Sequence, residues 1–395
     1  MNRFMIKRKI PLILFYQKLM VLFSAALIIG NTFRMEPPYY IVLIVSILAV
    51  FFSSRSINNN YIKQYLFIIG FAFYGIIVAI VMGGGYGGPI TIITGFMVLY
   101  ASQKMKFDRF DIGILVIAML VSIGYWLYRS PTYYSEFFYN QWKGDNTYTN
   151  SNGVGHYLAY ECSFMFMIMS LSSKRWIKSA KWVLAGVCLW GCYNVRARMA
   201  LVTLFLFLLV NIIVKIGYKH RQGIIKTFLY FSIALEIIFP FIYLLLYKSG
   251  IGSKIRFFGL AEKGLYSGRE TIWQNAFDAI QTIPEFLFGI GSKHDFWKEG
   301  LLNMHNNAMN LLVVVGVVGL IIYFVYLIMY INKWFDFANA SELQWQCLIF
   351  FICIIVEGAT DITIFYNPFL VYYFVPLGIA LNTNYTKLNF VKKEI

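Results

Sequence analysis

Apolar runs recur along the whole chain and are separated by short polar segments. Many of these runs are about 20 residues long, which is the length of an α-helix that crosses the hydrocarbon core of a bilayer. The pattern therefore predicts an all-α polytopic membrane protein in which residues 1–395 form a single integral membrane domain. About twelve transmembrane helices are predicted, near residues 10–30, 39–53, 65–82, 88–101, 112–128, 153–171, 181–195, 198–215, 227–247, 304–330, 345–364 and 368–382.

The composition supports this class, because 59% of the residues are hydrophobic and only 13% are charged, unlike any soluble globular domain. The formal net charge is +16, and a basic balance of this size can indicate nucleic-acid binding. Here the Lys and Arg residues lie in short loops between apolar runs. The bilayer is therefore a predicted partner, and nucleic acid is not.

The same Lys and Arg residues predict the orientation, because the cytoplasmic loops of membrane proteins carry an excess of them. Alternate loops hold nearly all of these residues, beginning with the N-terminal segment and ending with the C-terminal one. Both termini are therefore predicted to be cytoplasmic, and the segments 129–152 and 248–303 are predicted to be outside.

The outer segment 248–303 is a loop of roughly 55 residues, a length that is uncommon unless the loop is functional or disordered. Its apolar, patterned sequence argues against disorder. Within "SGRETIWQNAFDAIQTIP", Ser267 and Glu270 form a capping-box pattern that begins a helix, and Pro284 ends the periodicity. The loop is predicted to carry one amphipathic helix that lies in the membrane interface. Its apolar face consists of Ile272, Trp273, Ala276, Phe277, Ile280 and Ile283.

Basic and amide side chains collect at the predicted outer membrane edge. Arg269 falls in the first turn of the loop helix, where free N–H groups favour an anion, and the alternative is a guanidinium that reaches water. The stretch "YNVRARMALV" places Arg196 and Arg198 on the outer side, where two arginines need an anionic partner or water. His305 and Asn306 open the span after the long loop, either as helix caps or as participants in chemistry.

Polar residues also lie within the predicted spans. "TNSNGVGHYLAYECSF" places Asn152 and His156 near the outer boundary and Glu161 deeper, where a carboxylate is costly unless it is paired. The same cost applies to Glu236, Glu357 and Asp361. The last two are four residues apart on one helix face, and one of them is predicted to hold an arginine in place. For Glu236, a pairing that serves the structure is predicted.

The order of these motifs resembles the O-antigen polymerase and O-antigen ligase superfamily, the Wzy-like and WaaL-like membrane proteins. The similarity covers roughly residues 145–325, and its most specific part is the order "SGR(x)3W … FGIG … HN … GVVGLI". The resemblance implies a metal-independent, inverting glycosyltransferase with a GT-C-like fold and no cofactor. It implies undecaprenyl-diphosphate-linked glycans as donor and acceptor, at the outer face of the plasma (inner) membrane, and it leaves room for a chain-length regulator.

The resemblance also implies site residues. His305 matches the histidine of the "HN" pair, Arg269 matches the "SGR" arginine, and Arg198 matches an external arginine for which Arg196 is the alternative. Guanidinium groups bind a diphosphate bidentately and stay charged, and a neutral imidazole can take the proton of a sugar hydroxyl. The expected catalytic residues are therefore His305, Arg198 and Arg269. The expected substrate-binding residues are Arg196, Asn306, Glu161, His156 and Asn152, with the glutamate as an alternative base or arginine partner.

Four functions remain open at this point. The first is a polymerase that joins repeat units of an O-antigen, capsule or other exopolysaccharide. The second is a ligase that transfers finished glycan to lipid A-core or to the cell wall. A transporter of lipid-linked oligosaccharides is a third, although such proteins typically show repeated halves and broken helices. The fourth is a peptidoglycan polymerase of the SEDS type, for which Asp295 or Glu299 would supply the acidic residue.

Overall fold

The computed structural model describes residues 2–33, 39–53, 59–82, 87–142, 150–250, 268–291, 304–361, 363–364 and 370–385. In these ranges the chain forms helices joined by short connections, and no β-strand is present. The described α-helices are α1 (Asn2–Phe33), α2 (Tyr39–Ser53), α3 (Asn59–Val81), α4 (Gly87–Lys104), α5 (Arg109–Trp142), α6 (Ser151–Ser170), α7 (Arg175–Asn194), α8 (Arg198–Ile216), α9 (Arg221–Lys248), α10 (Arg269–Ala279), α11 (Ile283–Phe288), α12 (Asn307–Trp334), α13 (Glu342–Gly358) and α14 (Leu370–Ala380).

The predicted all-α class is confirmed, and a helix lies at each of the twelve predicted positions. By length and composition, four of the described helices can cross a membrane, and they are those at Arg109–Asn140, Arg198–Ile216, Arg221–Lys248 and Asn307–Trp334. Shorter apolar helices cover Leu14–Gly30, Leu66–Val81 and Leu370–Ala380. A membrane location is therefore supported, while the number of spans stays a prediction.

Helix α13 occupies the centre of the bundle. Its residues from Gln344 to Gly358 are all buried, and it packs against α6, α8, α9 and α14. A helix that is apolar on every side needs neighbours on every side, which explains this position. The helix ends at Gly358, earlier than the predicted span end at residue 364. Asp361 therefore lies in the turn beyond the end of α13, at one end of the bundle.

The long predicted loop contains two helices in its described part, so the prediction of one continuous helix to Pro284 is wrong. The first, α10, begins after Gly268, which adopts a positive φ of 85° at the N-cap position. Pro284 belongs to the first turn of α11, where its missing N–H is not needed. Thr282 and Glu285 cap that second helix reciprocally. The predicted cap residue Ser267 and the proposed acidic residues Asp295 and Glu299 lie outside the described ranges.

Helix α10 is fixed to the bundle through Trp273. The indole is fully buried, and its Nε1–H donates to the carbonyl oxygen of Met304 at 2.5 Å. Its ring packs edge-on against Tyr243 of α9, with centroids 5.0 Å apart. Since Met304 directly precedes His305, this tryptophan ties the start of α10 to the start of α12.

Helix α12 is broken at Gly316, which has φ 69° and ψ −179°. The break exposes backbone groups that the neighbouring segments satisfy. The N–H of Ile290 donates to the carbonyl of Val313 at 2.8 Å, and the Tyr74 hydroxyl donates to the carbonyl of Val315. A Cβ at Gly316 would lie 2.2 Å from the carbonyl oxygen of Leu287, so only glycine fits. The "FGIG" and "GVVG" stretches therefore meet at this point, where their backbones are in direct contact.

Candidate active site

The site lies at the N-terminus of α12, where the side chain of Asn306 joins three helices. The N–H of Met309 donates to its Oδ1 at 2.6 Å, so Asn306 caps α12. Its Nδ2 donates to the carbonyl oxygens of Glu236 at 3.0 Å and Ala359 at 2.9 Å. Pro240 has no N–H for the carbonyl four residues earlier in α9, so Asn306 replaces that lost partner. Both donors of the predicted substrate-binding amide are thus used within the protein.

The next residue, Asn307, fixes the turn after α13. Its Oδ1 accepts hydrogen bonds from the N–H groups of Thr363 at 2.8 Å and Ile364 at 3.3 Å. Its Nδ2 donates to Oγ1 of Thr363 at 2.8 Å. The turn carries Asp361, so Asn307 determines where that carboxylate lies. The sequence analysis did not assign this residue a role, because its partners are more than fifty positions away.

His305 adopts a backbone conformation that is rare for its residue type. Its φ is 47°, in the left-handed region, which is costly for a side chain with a Cβ and is typical of functional sites. Its side chain is 30% exposed, and Nδ1 lies 3.3 Å from Oδ1 of Asp361 in a hydrogen bond. A neutral imidazole that donates from Nδ1 leaves Nε2 as an acceptor. The arrangement can therefore present a base to solvent.

A second histidine lies on the inner side of Asp361. Nε2 of His156, on α6, lies 3.6 Å from Oδ2 of Asp361 and 3.1 Å from Oε1 of Glu357. Both His156 and Glu357 are buried. The four side chains therefore alternate between imidazole and carboxylate, from the half-buried His305 at the surface to Glu357 in the interior. The sequence placed the two acidic residues on one helix face, but it did not show that His156 is their partner.

Opposing effects act on the charge of Asp361. Burial raises the pKa of its carboxyl group, while the hydrogen bond from His305 and the nearby charges of His156 and Arg269 lower it. The lowering effects prevail, so the pKa of Asp361 lies below its ordinary value. This shift favours the carboxylate form of Asp361, which is the form that can accept a hydrogen bond from an imidazole and orient it.

Arg198 and Arg269 converge on the same place. Arg198 is the first residue of α8, and Arg269 is the first residue of α10. The charge of Arg269 acts on both Arg198 and Asp361. Helix N-termini favour anions, because their backbone N–H groups are free and the helix dipole is positive there. Two guanidinium groups at two such ends, one of which acts on the charge of Asp361, form a region suited to a polyanion.

Arg196 is placed differently from Arg198. Its φ is 56°, and its guanidinium lies over the ring of Tyr134 in α5, 4.3 Å from the ring centroid. Tyr134 belongs to the part of α5 that continues past the predicted span end at residue 128. The charge of Arg198 thus acts with that of Arg269, whereas Arg196 lies over an aromatic ring, which favours Arg198 for binding an anion.

The remaining predicted residues have other surroundings. Glu161 accepts hydrogen bonds from the hydroxyls of Ser122 at 2.9 Å and Tyr372 at 2.8 Å, so its described partners are hydroxyls, in place of the arginine considered from the sequence. Asn152 lies in the first turn of α6 and donates its N–H to Oδ1 of the cap residue Asn150. In the part of the chain that the structure describes, no group of three or more His, Cys, Asp or Glu side chains is arranged to hold a metal ion.

Comparison of the chain with protein-family models and with curated proteins finds no match. Any function must therefore be argued from the arrangement of these side chains and from the resemblance of the motifs.

Proposed function

We propose that this protein is a glycosyltransferase that joins undecaprenyl-diphosphate-linked oligosaccharide repeat units into an O-antigen, capsule or other exopolysaccharide. One observation carries the proposal. Arg269 interacts with Arg198 and with Asp361, and Asp361 is hydrogen-bonded to His305. A candidate base and a polyanion-binding pair are thus supplied by three separate segments that meet at one point. These residue types are the ones that transfer from a diphosphate to a sugar hydroxyl requires.

The reaction follows from these roles. The hydroxyl oxygen of the acceptor sugar forms a bond to the anomeric carbon of the donor glycan. The bond between that carbon and the diphosphate oxygen breaks, and the electron pair leaves with undecaprenyl diphosphate. The hydroxyl proton passes to Nε2 of His305. Direct displacement of this kind inverts the anomeric centre, and it uses no cofactor or metal ion.

The two arginines act on the leaving group. Negative charge on the diphosphate grows as the glycosidic bond breaks, and preorganised cations that face this charge lower the barrier. Guanidinium groups suit this task because they stay charged and bind phosphate oxygens in pairs. Asp361 holds His305 in the tautomer that makes Nε2 the proton acceptor, in the manner of a carboxylate behind a catalytic histidine.

The proposal includes an orientation. The alternation of basic loops supports cytoplasmic termini, and the site then lies at the outer face of the plasma (inner) membrane. About twelve spans and a GT-C-like arrangement belong to the same proposal. A lipid-linked donor would reach the arginines from the bilayer, and the acceptor sugar would reach His305 from the aqueous side. A separate chain-length regulator is compatible with this arrangement.

The first test is complementation of a strain that lacks the protein, with surface glycan resolved by gel. We would compare wild type with His305→Ala, Arg198→Ala and Arg269→Ala at matched membrane levels. Wild type is expected to give a ladder, while each variant leaves single repeat units on the lipid carrier. Loss of one charge-stabilising donor typically lowers the rate about 100- to 1000-fold. Arg196→Ala is the matched control, because its guanidinium stacks on Tyr134, and it is expected to keep the ladder.

Other outcomes identify the alternatives. Long glycan that forms but stays on its lipid indicates the ligase. Repeat units that accumulate at the cytoplasmic face indicate the transporter, which one observation favours, because α12 is broken at Gly316 as transporter helices often are. The carbonyls at that break are, however, bonded to Ile290 and Tyr74. If all three variants give the wild-type ladder, the proposed site is wrong.

A further inference from the structure

We infer that His156 and Glu357 form an inner pair that sets the basicity of His305 through Asp361, which makes His156 a positioning residue for the reaction. The inference rests on the proposed function, because it concerns the base of that site. Nε2 of His156 is 3.1 Å from Glu357 and 3.6 Å from Asp361, and Asp361 is 3.3 Å from His305. No other pair of described histidines shares a carboxylate in this way.

The geometry makes the two carboxylates competitors. Nε2 of His156 lies 3.1 Å from Glu357 and 3.6 Å from Asp361, so the attraction of this nitrogen is shared between the two carboxylates. The more strongly His156 attracts Asp361, the less of the negative charge of Asp361 is available to His305. Since Asp361 stabilises the protonated form of His305, a stronger bond from His156 makes His305 a weaker base. Glu357 therefore affects His305 by holding His156.

Several described groups act on these two carboxylates. His305, His156 and Arg269 act on Asp361, from α12, α6 and α10. The second carboxylate is faced by two hydroxyls besides His156, and these belong to Tyr160 of α6 and Thr203 of α8. The charge of Glu357 also acts on two buried thiols, those of Cys192 on α7 and Cys353 on α13. His156 and Tyr160 interact with both carboxylates, and His156 is the one whose ring nitrogen lies 3.1 Å from Glu357 and 3.6 Å from Asp361.

Two substitutions are expected to have opposite effects. In His156→Gln, Asp361 is relieved of the imidazole, attracts the proton of His305 more strongly, and raises the basicity of His305. The acidic limb of the pH dependence of kcat/KM, which reports the free enzyme's base, moves to higher pH. In Glu357→Gln, His156 turns its hydrogen bond towards Asp361, and the limb moves to lower pH. Each shift is expected to be about one pH unit, which is a tenfold rate change at a fixed pH on the limb.

The experiment uses the full-length protein reconstituted in liposomes. The substrate is the lipid-linked repeat unit extracted from cells that lack the protein. Release of undecaprenyl diphosphate is followed from about pH 5 to 9, a range that includes the pH at which imidazoles ordinarily gain or lose a proton. The double variant His156→Gln/Glu357→Gln completes a cycle. Its limb is expected to lie closer to that of His156→Gln than to that of Glu357→Gln, because His156 contacts both carboxylates, while Glu357 and Asp361 also act on each other directly. Asp111→Asn is the control, since this buried carboxylate at the start of α5 is ion-paired with Lys18, and its limb is expected to stay at the wild-type pH.

The outcomes separate this inference from the proposed function. If wild type releases no undecaprenyl diphosphate, the proposed function fails. If wild type is active but His156→Gln leaves the limb unmoved, or the two single variants shift it in the same direction, the inference fails. If His156→Gln does not accumulate as folded protein, Glu357→Gln decides alone. A downward shift then supports the inner pair, and an unmoved limb overturns it.

Discussion

The amide of Asn307 should hold the turn after α13 in place, and replacement by alanine tests this. The side chain is fully buried and makes three hydrogen bonds, two from the N–H groups of Thr363 and Ile364 and one to Oγ1 of Thr363. In Asn307→Ala all three are lost. The hydroxyl of Thr363 can rotate towards another partner, but the N–H groups of Thr363 and Ile364 cannot move unless the turn itself moves.

The size of the effect follows from these two groups. An interior donor that loses its acceptor costs about 1–3 kcal/mol, so the free energy of unfolding is expected to fall by about 3 kcal/mol. If water reached the turn, each N–H would bond to solvent, and the total loss would be only about 1 kcal/mol. The measured value therefore distinguishes a dry turn held by Asn307 from a hydrated one.

The same substitution should lower activity. Asp361 lies two residues before Thr363, so a released turn no longer holds the carboxylate 3.3 Å from His305. Misplacement of a positioning group by about 1 Å can cost on the order of 100-fold in rate, and kcat/KM is expected to fall by at least tenfold. The KM for lipid-linked donor should change little, because Arg198 and Arg269 belong to other helices.

The assay is unfolding of the purified protein by SDS titration in mixed micelles, together with release of undecaprenyl diphosphate. Asn332→Ala is the matched control, because this amide lies in the same helix and its bond to the Tyr230 hydroxyl is exposed. Its stability is expected to remain within about 0.5 kcal/mol of wild type. A loss of less than about 1 kcal/mol in Asn307→Ala, with wild-type kcat/KM, would refute the argument.

Three further predictions follow from single contacts. Asp361→Asn should lower kcat/KM about 100- to 10,000-fold, since an amide selects the wrong tautomer of His305, and activity equal to wild type would contradict this. Gly316→Ala should lower the melting temperature in detergent, because a Cβ would lie 2.2 Å from a backbone carbonyl at a positive φ, and an unchanged melting temperature would exclude the broken helix. Trp273→Phe removes the hydrogen bond to Met304 and should cost about 1 kcal/mol in SDS titration, whereas a neutral result would mean that this bond does not anchor α10.

Local patterns in the sequence were sufficient for much of the site. The prediction that Glu357 and Asp361 share a face required only their spacing of four residues, and the structure directs both towards His156. Arg269 was predicted in the first turn of a helix and lies there. These features depend on residues a few positions apart, and the helical repeat determines them before any tertiary contact forms.

One prediction failed because a local signal was ambiguous. One helix was expected up to Pro284, yet two are found, because proline is as well suited to the first turn of a new helix as to the end of an old one. For Glu161 the role of alternative base or arginine partner stays a prediction, and the packing of α5 and α14 adds two hydroxyl partners that the sequence did not indicate.

The sequence by itself determined the all-α class, since runs of apolar residues can bury their backbone polar groups only as helices. It also determined which residue types stand near the predicted outer end. Tertiary structure alone decided that His305 is bonded to Asp361, that His156 lies behind it, and that Arg198 is the arginine near Arg269. These contacts join residues from 56 to more than 200 positions apart. Helix α13, which is buried on all sides, draws several of the other helices around it. The spacing of residues along the sequence determines which side chains share a helix face. Only the packing of whole helices determines which face of another helix they contact.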